Sequence, residues 1–414
     1  MVTLRPIFSF LVKSTFLLLC CPILSFALEI KLNEKPIYQE PPVFVKSCPN
    51  GILEKVGEGD DTIQIVHLWG TPREMGKAHG ELFKEEIAEH LKNISEAMAR
   101  DMGADLSILD HVWAAAKPHV SPYFIEEMEG LAEGCGVDVQ SVIRSNMIGE
   151  ASEWHCSLFG AWGNATKETG HLLQLRSLDY EVNAGIQKYP VIFVYHPNPG
   201  QGHAFANFSW AGVIGAVTGI SSERLAISEI GDDYDKANDT FDGIPFVFLL
   251  RDILQFDHSL DEATSRIKNA KRTTSLMYAV GDGEMGQARA YQTSHTLCNV
   301  YDPANLEPLV DTHPRIDDIV YWGMSWNVPA FDKPLHDMLQ KHYGKLNGEV
   351  VVREILPTVR TGNLQVAVYD LTDMVVWTAN ARADGEKGPR NAYERQFVKV
   401  DMNSLFNREK PTPQ

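Results

Sequence analysis

Near residue 156 the hydrophobic pattern of this chain changes period. Before it, Met75, His79, Leu82, Ile87 and Leu91 fall on one helical face. Gly70-Thr71-Pro72 opens that helix with proline in its first turn. More helical pattern follows at 106–118, 122–133 and 138–148, and Gly134 and Gly136 bracket Cys135 at a helix end. After it, short Leu/Ile/Val/Phe runs broken by Gly, Pro and Asn predict strands at 156–162, 171–180, 190–196, 203–210, 213–219 and 224–230. Helices are expected at 244–256, 259–270, 333–343 and 348–356, and strands at 63–69, 275–282, 287–293, 364–370 and 374–380. Residues 28–62 read as irregular, punctuated by Pro36, Pro41, Pro42, Pro49 and Gly51, and 383–414 as loosely ordered. Strands with helices before and between them predict a layered α+β fold, sheets packed on each other and helices outside.

The first 27 residues carry Arg5 and Lys13, then an apolar run from Thr15 to Leu24, then Ser25-Phe26-Ala27. That is the pattern of a secretory signal peptide, and the run is short for a membrane span. A lysosomal or secreted destination is therefore expected. Asn93, Asn164, Asn207 and Asn238 each head an Asn-x-Ser/Thr acceptor for glycosylation, Asn207 in an apolar context. The formal charge of −18 disfavours nucleic acid as a partner. Outside the leader, Cys48, Cys135, Cys156 and Cys298 remain. In an oxidising compartment these could form disulfides. If Cys156 is a free nucleophile, at most one bridge is left. Cys48–Cys298 is the candidate that would tie the two sides of residue 156 together, with Cys135 as the other possible partner. The 14 histidines show no His-x-His or His-x-x-x-His ligand spacing, so no metal and no cofactor are expected.

Cys156 stands at the switch from helix to strand, and the next predicted strand delivers Arg176 and Asp179. A thiol is a useful nucleophile only as thiolate. If the His155–Cys156 peptide bond is cut, the new α-amine lies on the same residue. With a pKa of about 8 it can serve as general base. Arg176 can favour the thiolate, and Asp179 can accept from the α-amine. An isolated cysteine in a secreted chain is more often a disulfide half, and an Arg-x-x-Asp more often a surface pair.

Several separated segments carry a more specific signal. Gly70 to Gly80, Glu127 to Gly134, Cys156-Ser157 followed by Arg176-Ser177-Leu178-Asp179-Tyr180, Phe208 to Gly219, and Arg272-Thr273-Thr274-Ser275 occur in that order. Together they resemble the acid ceramidase and N-acylethanolamine acid amidase group and the penicillin acyltransferase relatives, which are cysteine N-terminal-nucleophile hydrolases. The resemblance covers roughly residues 63–300. Ser177 stands where the family pattern has Asn, and the later segment with the oxyanion Asn has its nearest counterpart at 320–327, offering Ser325 or Asn327.

The resemblance implies a four-layer αββα sandwich of antiparallel sheets preceded by a mostly helical segment. It implies a precursor divided into a leader (1–27), a helical α-chain (28–155) and a β-chain (156–414) that begins with its nucleophile. Autocleavage between His155 and Cys156, a catalytic set of Cys156, Arg176 and Asp179, and an N-acyl substrate of the ceramide or N-acylethanolamine class follow as expectations. A membrane surface or lipid-presenting protein would be the expected partner. An ester or phospholipid acyl hydrolase and an acyltransferase use the same acyl-enzyme, and a non-catalytic secreted binding protein would leave Cys156 inert and the chain uncut.

Overall fold

The structure, a computed structural model, describes residues 30–101, 106–151, 155–180, 182, 185–231, 234–306, 313–323 and 332–410. The leader at 1–27 lies outside them. Among the described residues no helix is long and apolar enough to cross a membrane.

The chain opens with three strands, β1 (Val43–Cys48), β2 (Gly51–Val56) and β3 (Ile63–Gly70). The helices α1 (Pro72–Leu82), α2 (Lys84–Asp101), α3 (Ser107–Ala116), α4 (Pro122–Cys135) and α5 (Val139–Ala151) follow. Six strands come next: β4 (His155–Ala161), β5 (Leu173–Asp179), β6 (Pro190–Pro197), β7 (Phe205–Trp210), β8 (Thr218–Ser221) and β9 (Leu225–Gly231). Then come α6 (Phe246–Phe256), α7 (Leu260–Asn269), β10 (Leu276–Asp282), β11 (Gln287–Thr293), β12 (Cys298–Tyr301) and β13 (Ile319–Trp322). The chain closes with α8 (Asp332–Lys341), α9 (Gly348–Val350), α10 (Leu356–Val359), β14 (Gln365–Asp370), β15 (Val375–Asn380), β16 (Val398–Asp401) and α11 (Met402–Phe406).

The strands form two sheets, one in the order β1-β2-β3-β6-β7-β8-β9-β10-β11-β12 and one in the order β13-β4-β5-β14-β15-β16. Three apolar layers separate four structural ones. Leu68, Phe193 and Ile227 of the large sheet pack with Met128, Phe248 and Ile253 of the helices. Ile65, Ala206 and Met277 of the large sheet meet Leu158, Leu178 and Tyr369 of the small one. Phe159, Leu175 and Val366 on the other side of the small sheet pack on Leu335, Val352 and Leu356. Alternation along each strand sends neighbouring side chains to opposite layers, so strands buried on both faces carry the unbroken apolar runs seen from residue 156 on. The layer order is the αββα arrangement that the resemblance implies.

Several boundaries differ from the sequence reading for identifiable reasons. The large sheet is not purely antiparallel, since β3 and β6 pair in parallel, Gln64 opposite Val191 through Gly70 opposite Pro197. Within the stretch expected to be irregular, residues 43–56 form a hairpin: Pro49-Asn50 is its two-residue turn, in which Cys48 faces Gly51. The helix expected through Leu91 breaks at Phe83, whose backbone leaves the helical region at φ −127° and ψ 31°. The strand expected at 213–219 starts only at Thr218, because 211–217 is a loop held by side chains: Asn146 Oδ1 accepts from the Ile214 and Gly215 amides at 2.9 and 3.2 Å. The stretch 398–406 within the expected loose tail is ordered as well, with Val398, Val400, Met402 and Leu405 buried in the layer between the sheets.

Two expected modifications are also excluded. Cys48 and Cys298 cannot bridge, because β1 and β12 are opposite edges of the ten-stranded sheet. At about 4.8 Å per strand they are about 40 Å apart along the sheet, against the few ångströms a disulfide spans. All four described cysteines are free thiols. Asn207 is fully buried and its Nδ2 donates to the Gly215 carbonyl at 2.9 Å, so it secures the 211–217 loop and is closed to a glycan. Asn164 and Asn238 are exposed and Asn93 is half-buried.

Candidate active site

Cys156 is the second residue of β4 and is 1 % exposed. With Leu158 it belongs to the layer between the sheets. Register places His155 opposite Asp179, Cys156 opposite Leu178, and Leu158 opposite Arg176. The adjoining strand β5 thus brings both sequence-predicted partners alongside the thiol. The His155–Cys156 peptide lies at the start of that strand pair, and the His155 side chain lies outside the described residues.

Arg176 is fully buried and its Nη2 donates to Glu229 Oε2 at 3.1 Å, an ion pair that joins the small sheet to the large one. Nε and Nη1 of Arg176 have no hydrogen-bond partner among the described residues. Glu229 is a member the sequence reading missed. Its signal was present as a lone charge in the apolar strand Leu225-Ala226-Ile227-Ser228-Glu229-Ile230, the counterpart of a lone arginine in Leu173–Leu178.

Asp179 ends β5 and is engaged by a turn 182 residues or more away. Thr361 Oγ1 donates to its Oδ2 at 2.7 Å, Gly362 N to Oδ2 at 2.9 Å, and Asn363 N to Oδ1 at 2.9 Å. The turn needs glycine at 362, where φ is +86° and a Cβ would stand 2.4 Å from Val366 Cγ2. Thr361 Oγ1 also lies 2.8 Å from both Ser157 Oγ and Ser177 Oγ. Ser177 therefore takes part in a hydroxyl network that fixes the Asp179 carboxylate. Arg360 precedes this turn in the left-handed region at φ 62°, with its side chain exposed.

Burial dominates the electrostatics. It pushes the Cys156 thiol up to about 12; Arg176 and a backbone hydrogen bond from Asp179 oppose it, while the charges of Glu229 and Asp179 add to it. Burial likewise raises the Asp179 carboxyl, against the pull of the Gly362 and Asn363 amides and Thr361. Glu229 is raised by burial with Arg176 acting in opposition. The thiol is thus held protonated near neutral pH. Glu150, near the end of α5, accepts from the Phe246 amide at 2.6 Å and is pushed up to about 7 by burial.

Ser325 and Asn327, the oxyanion candidates, lie outside the described residues. The strand before them, β13, runs beside β4 with Trp322 opposite Leu158. A surface groove of about 730 Å³ is lined by residues including Asp252, Asp257, Arg266 and Lys271 of the α6–α7 region. It takes no lining residue from β4 or β5, so the chemistry-bearing residues are not its content.

No protein-family model matches the chain. Among solved structures, the chain is similar to a Caenorhabditis elegans ortholog of N-acylethanolamine-hydrolyzing acid amidase, at 15 % identity and a TM-score of 0.39, over 52 % of this chain and 93 % of that one. It is similar to a mutant conjugated bile acid hydrolase from Clostridium perfringens at 14 % identity and a TM-score of 0.39, over 62 % and 96 %. Among curated proteins, dcd1A of Dictyostelium discoideum is 32 % identical over 414 residues, covering 91 % of this chain and 93 % of that protein. Its companion dcd1B is 31 % identical over 413 residues, covering 91 % and 82 %. Identity at that level along nine-tenths of the chain makes this protein a member of the dcd1A and dcd1B family.

Proposed function

We propose that this chain is a self-processing hydrolase of N-acyl amides, with a lipid amide of the ceramide or N-acylethanolamine class as substrate and Cys156 as nucleophile. The observation that carries the reading is the company Cys156 keeps. A buried thiol opens a strand on the layer between the sheets, the next strand supplies a buried Arg176–Glu229 pair, and the Asp179 carboxylate is fixed opposite His155. Among the sequence segments that resemble ceramidase-type enzymes, Cys156-Ser157 lies on β4 and Arg176 to Asp179 on β5.

In the proposed processing step, Cys156 Sγ attacks the His155 carbonyl carbon. The C–N bond breaks, the amide nitrogen takes a proton and becomes the α-amine, and a thioester forms. Water then hydrolyses the thioester, leaving a carboxylate on His155 and the free thiol on Cys156. In turnover the α-amine accepts the thiol proton as Sγ attacks the acyl carbon and hands it to the leaving amine. It next takes a proton from water, whose oxygen attacks the thioester and releases the fatty acid. Because the uncut thiol is raised to about 12 by burial, the precursor is expected to be latent.

The test is intact mass and N-terminal sequencing after incubation at about pH 4.5 and about pH 7, with a Cys156→Ala variant alongside, followed by assay on N-acylethanolamines and ceramides. A new N-terminus at Cys156, absent in the variant, with fatty acid released only by cut protein, is expected. A single uncut chain that releases no fatty acid under any condition would sink the proposal.

A further inference from the structure

Three segments outside the strands β4 and β5 bring together side chains of metal-ligand type. His203 precedes β7, Glu223 lies in the β8–β9 turn, and His258 lies between α6 and α7. One ligating atom from each lies within 4.8 Å of the others. No short-range spacing announces this, since Glu223 and His258 are 35 positions apart.

We propose that His203, Glu223 and His258 form a divalent-metal site of the zinc type, with three protein ligands and one open position. Two imidazoles and a carboxylate suit zinc and disfavour calcium or magnesium, which take oxygen ligands. Ligand atoms at 2.0–2.1 Å from a tetrahedral ion stand about 3.3 Å apart. His258 Nδ1 and Glu223 Oε2 are already 3.1 Å apart, so closure asks for about 1.5 Å or less from the remaining approach.

A further observation points to a ligand. His203 Nε2 is buried and has no hydrogen-bond partner among the described residues. The scaffold is also fixed. His203 N donates to Gln255 O at 3.0 Å, Ser222 N to Ala204 O at 2.8 Å, and His258 N to Glu262 Oε2 at 2.7 Å. Gly202, at φ +109°, lets the backbone approach Gln255 O so closely that a Cβ would stand 2.5 Å from it. The other cluster of this kind, His171 with Asp370 and Asp373, offers one imidazole, and its Asp370 already accepts from His171, Thr372 N and Asp373 N.

The experiment is calorimetric titration of chelator-treated whole protein with zinc ion, repeated on His258→Ala and Glu223→Gln. The His258 side chain is 62 % exposed, so its loss leaves the core intact. One ion per chain with a Kd at or below about 10 μM, weakened at least about tenfold by His258→Ala, is expected. Cobalt substitution supplies a second reading: an intense tetrahedral visible band without a thiolate charge-transfer band supports the site. Absence of stoichiometric binding, affinity unchanged in both variants, or a thiolate band placing the ion on cysteine would each overturn it.

Discussion

Glu229 and Arg176 are opposite charges buried in facing sheets, and each makes the other tolerable. Glu229→Gln leaves the guanidinium uncompensated. Breaking a buried pair from one side costs about 3–5 kcal/mol, so thermal or denaturant unfolding is expected to show a loss of that order. The same variant removes a charge that raises the Cys156 thiol. The midpoint of thiol alkylation against pH is therefore expected to move down in the protein that remains folded; an unchanged midpoint would place Glu229 outside the thiol's field. Cys156, Arg176 and Asp179 could be singled out in the sequence because the segments that carry them resemble a known family, and the register of β4 with β5 places them alongside one another. Glu229 and Thr361 were not, although they are as closely involved. Their partners lie 53 and 182 positions away, and only the stacking of sheets and a distant turn bring them into contact. At Asn207 the tripeptide alone carries no information about burial; the apolar context of the acceptor does, and the side chain is buried.

At the scale of elements, α1 and α4 pack backbone against backbone. A Cβ at Gly76 would stand 2.1 Å from Glu127 O, at Gly80 2.4 Å from Leu131 O, at Gly130 2.2 Å from Arg73 O, and at Gly134 2.2 Å from Lys77 O. The glycines of the two resembling segments are therefore each other's reason. In an exposed helix Gly→Ala stabilises by about 1 kcal/mol; here the added methyl meets a carbonyl oxygen that cannot move without its helix. Gly76→Ala and Gly130→Ala are each expected to destabilise by about 1–3 kcal/mol, measured by chemical denaturation. A neutral or stabilising result would mean that the helices sit further apart. Helices and buried strands were readable because their periods differ. The β1–β2 hairpin was hidden by prolines that flank its strands without entering them, and the break at Phe83 by an apolar stripe that continues across it.

For the molecule as a whole, buried titratable groups pull stability in opposite directions with pH. Burial raises Glu150 and Asp252 to about 7, so the stability they contribute is full below their unfolded values of about 4 and is lost as pH rises toward 7. Burial lowers His79 and His196 to about 3, so their contribution is full above about 6.5 and is lost as pH falls. Glu229, also raised by burial to about 7, acts with Glu150 and Asp252, so between about pH 4.5 and 6.5 the two sets oppose each other. Below about 4.5 the histidine slope is joined by carboxylates that their partners hold low, such as Glu54 and Asp110. A melting temperature that varies less over the first range than below it, and falls below it, is expected in a pH series. Glu150→Gln should be up to about 3 kcal/mol more stable than wild type near pH 7 and equal to it near pH 4.5; an equal effect at both would remove Glu150 from the balance. The parallel pairing of β3 with β6 carries a last consequence. It weaves strands from before residue 156 into the same sheet as strands from after it. A chain cut at that point is one folded body made of two molecules, held by a sheet seam and needing no covalent strap. Its unfolding is then also a dissociation, so the cut form changes reaction order: dilution alone shifts its equilibrium, and halves that part must find each other again by diffusion.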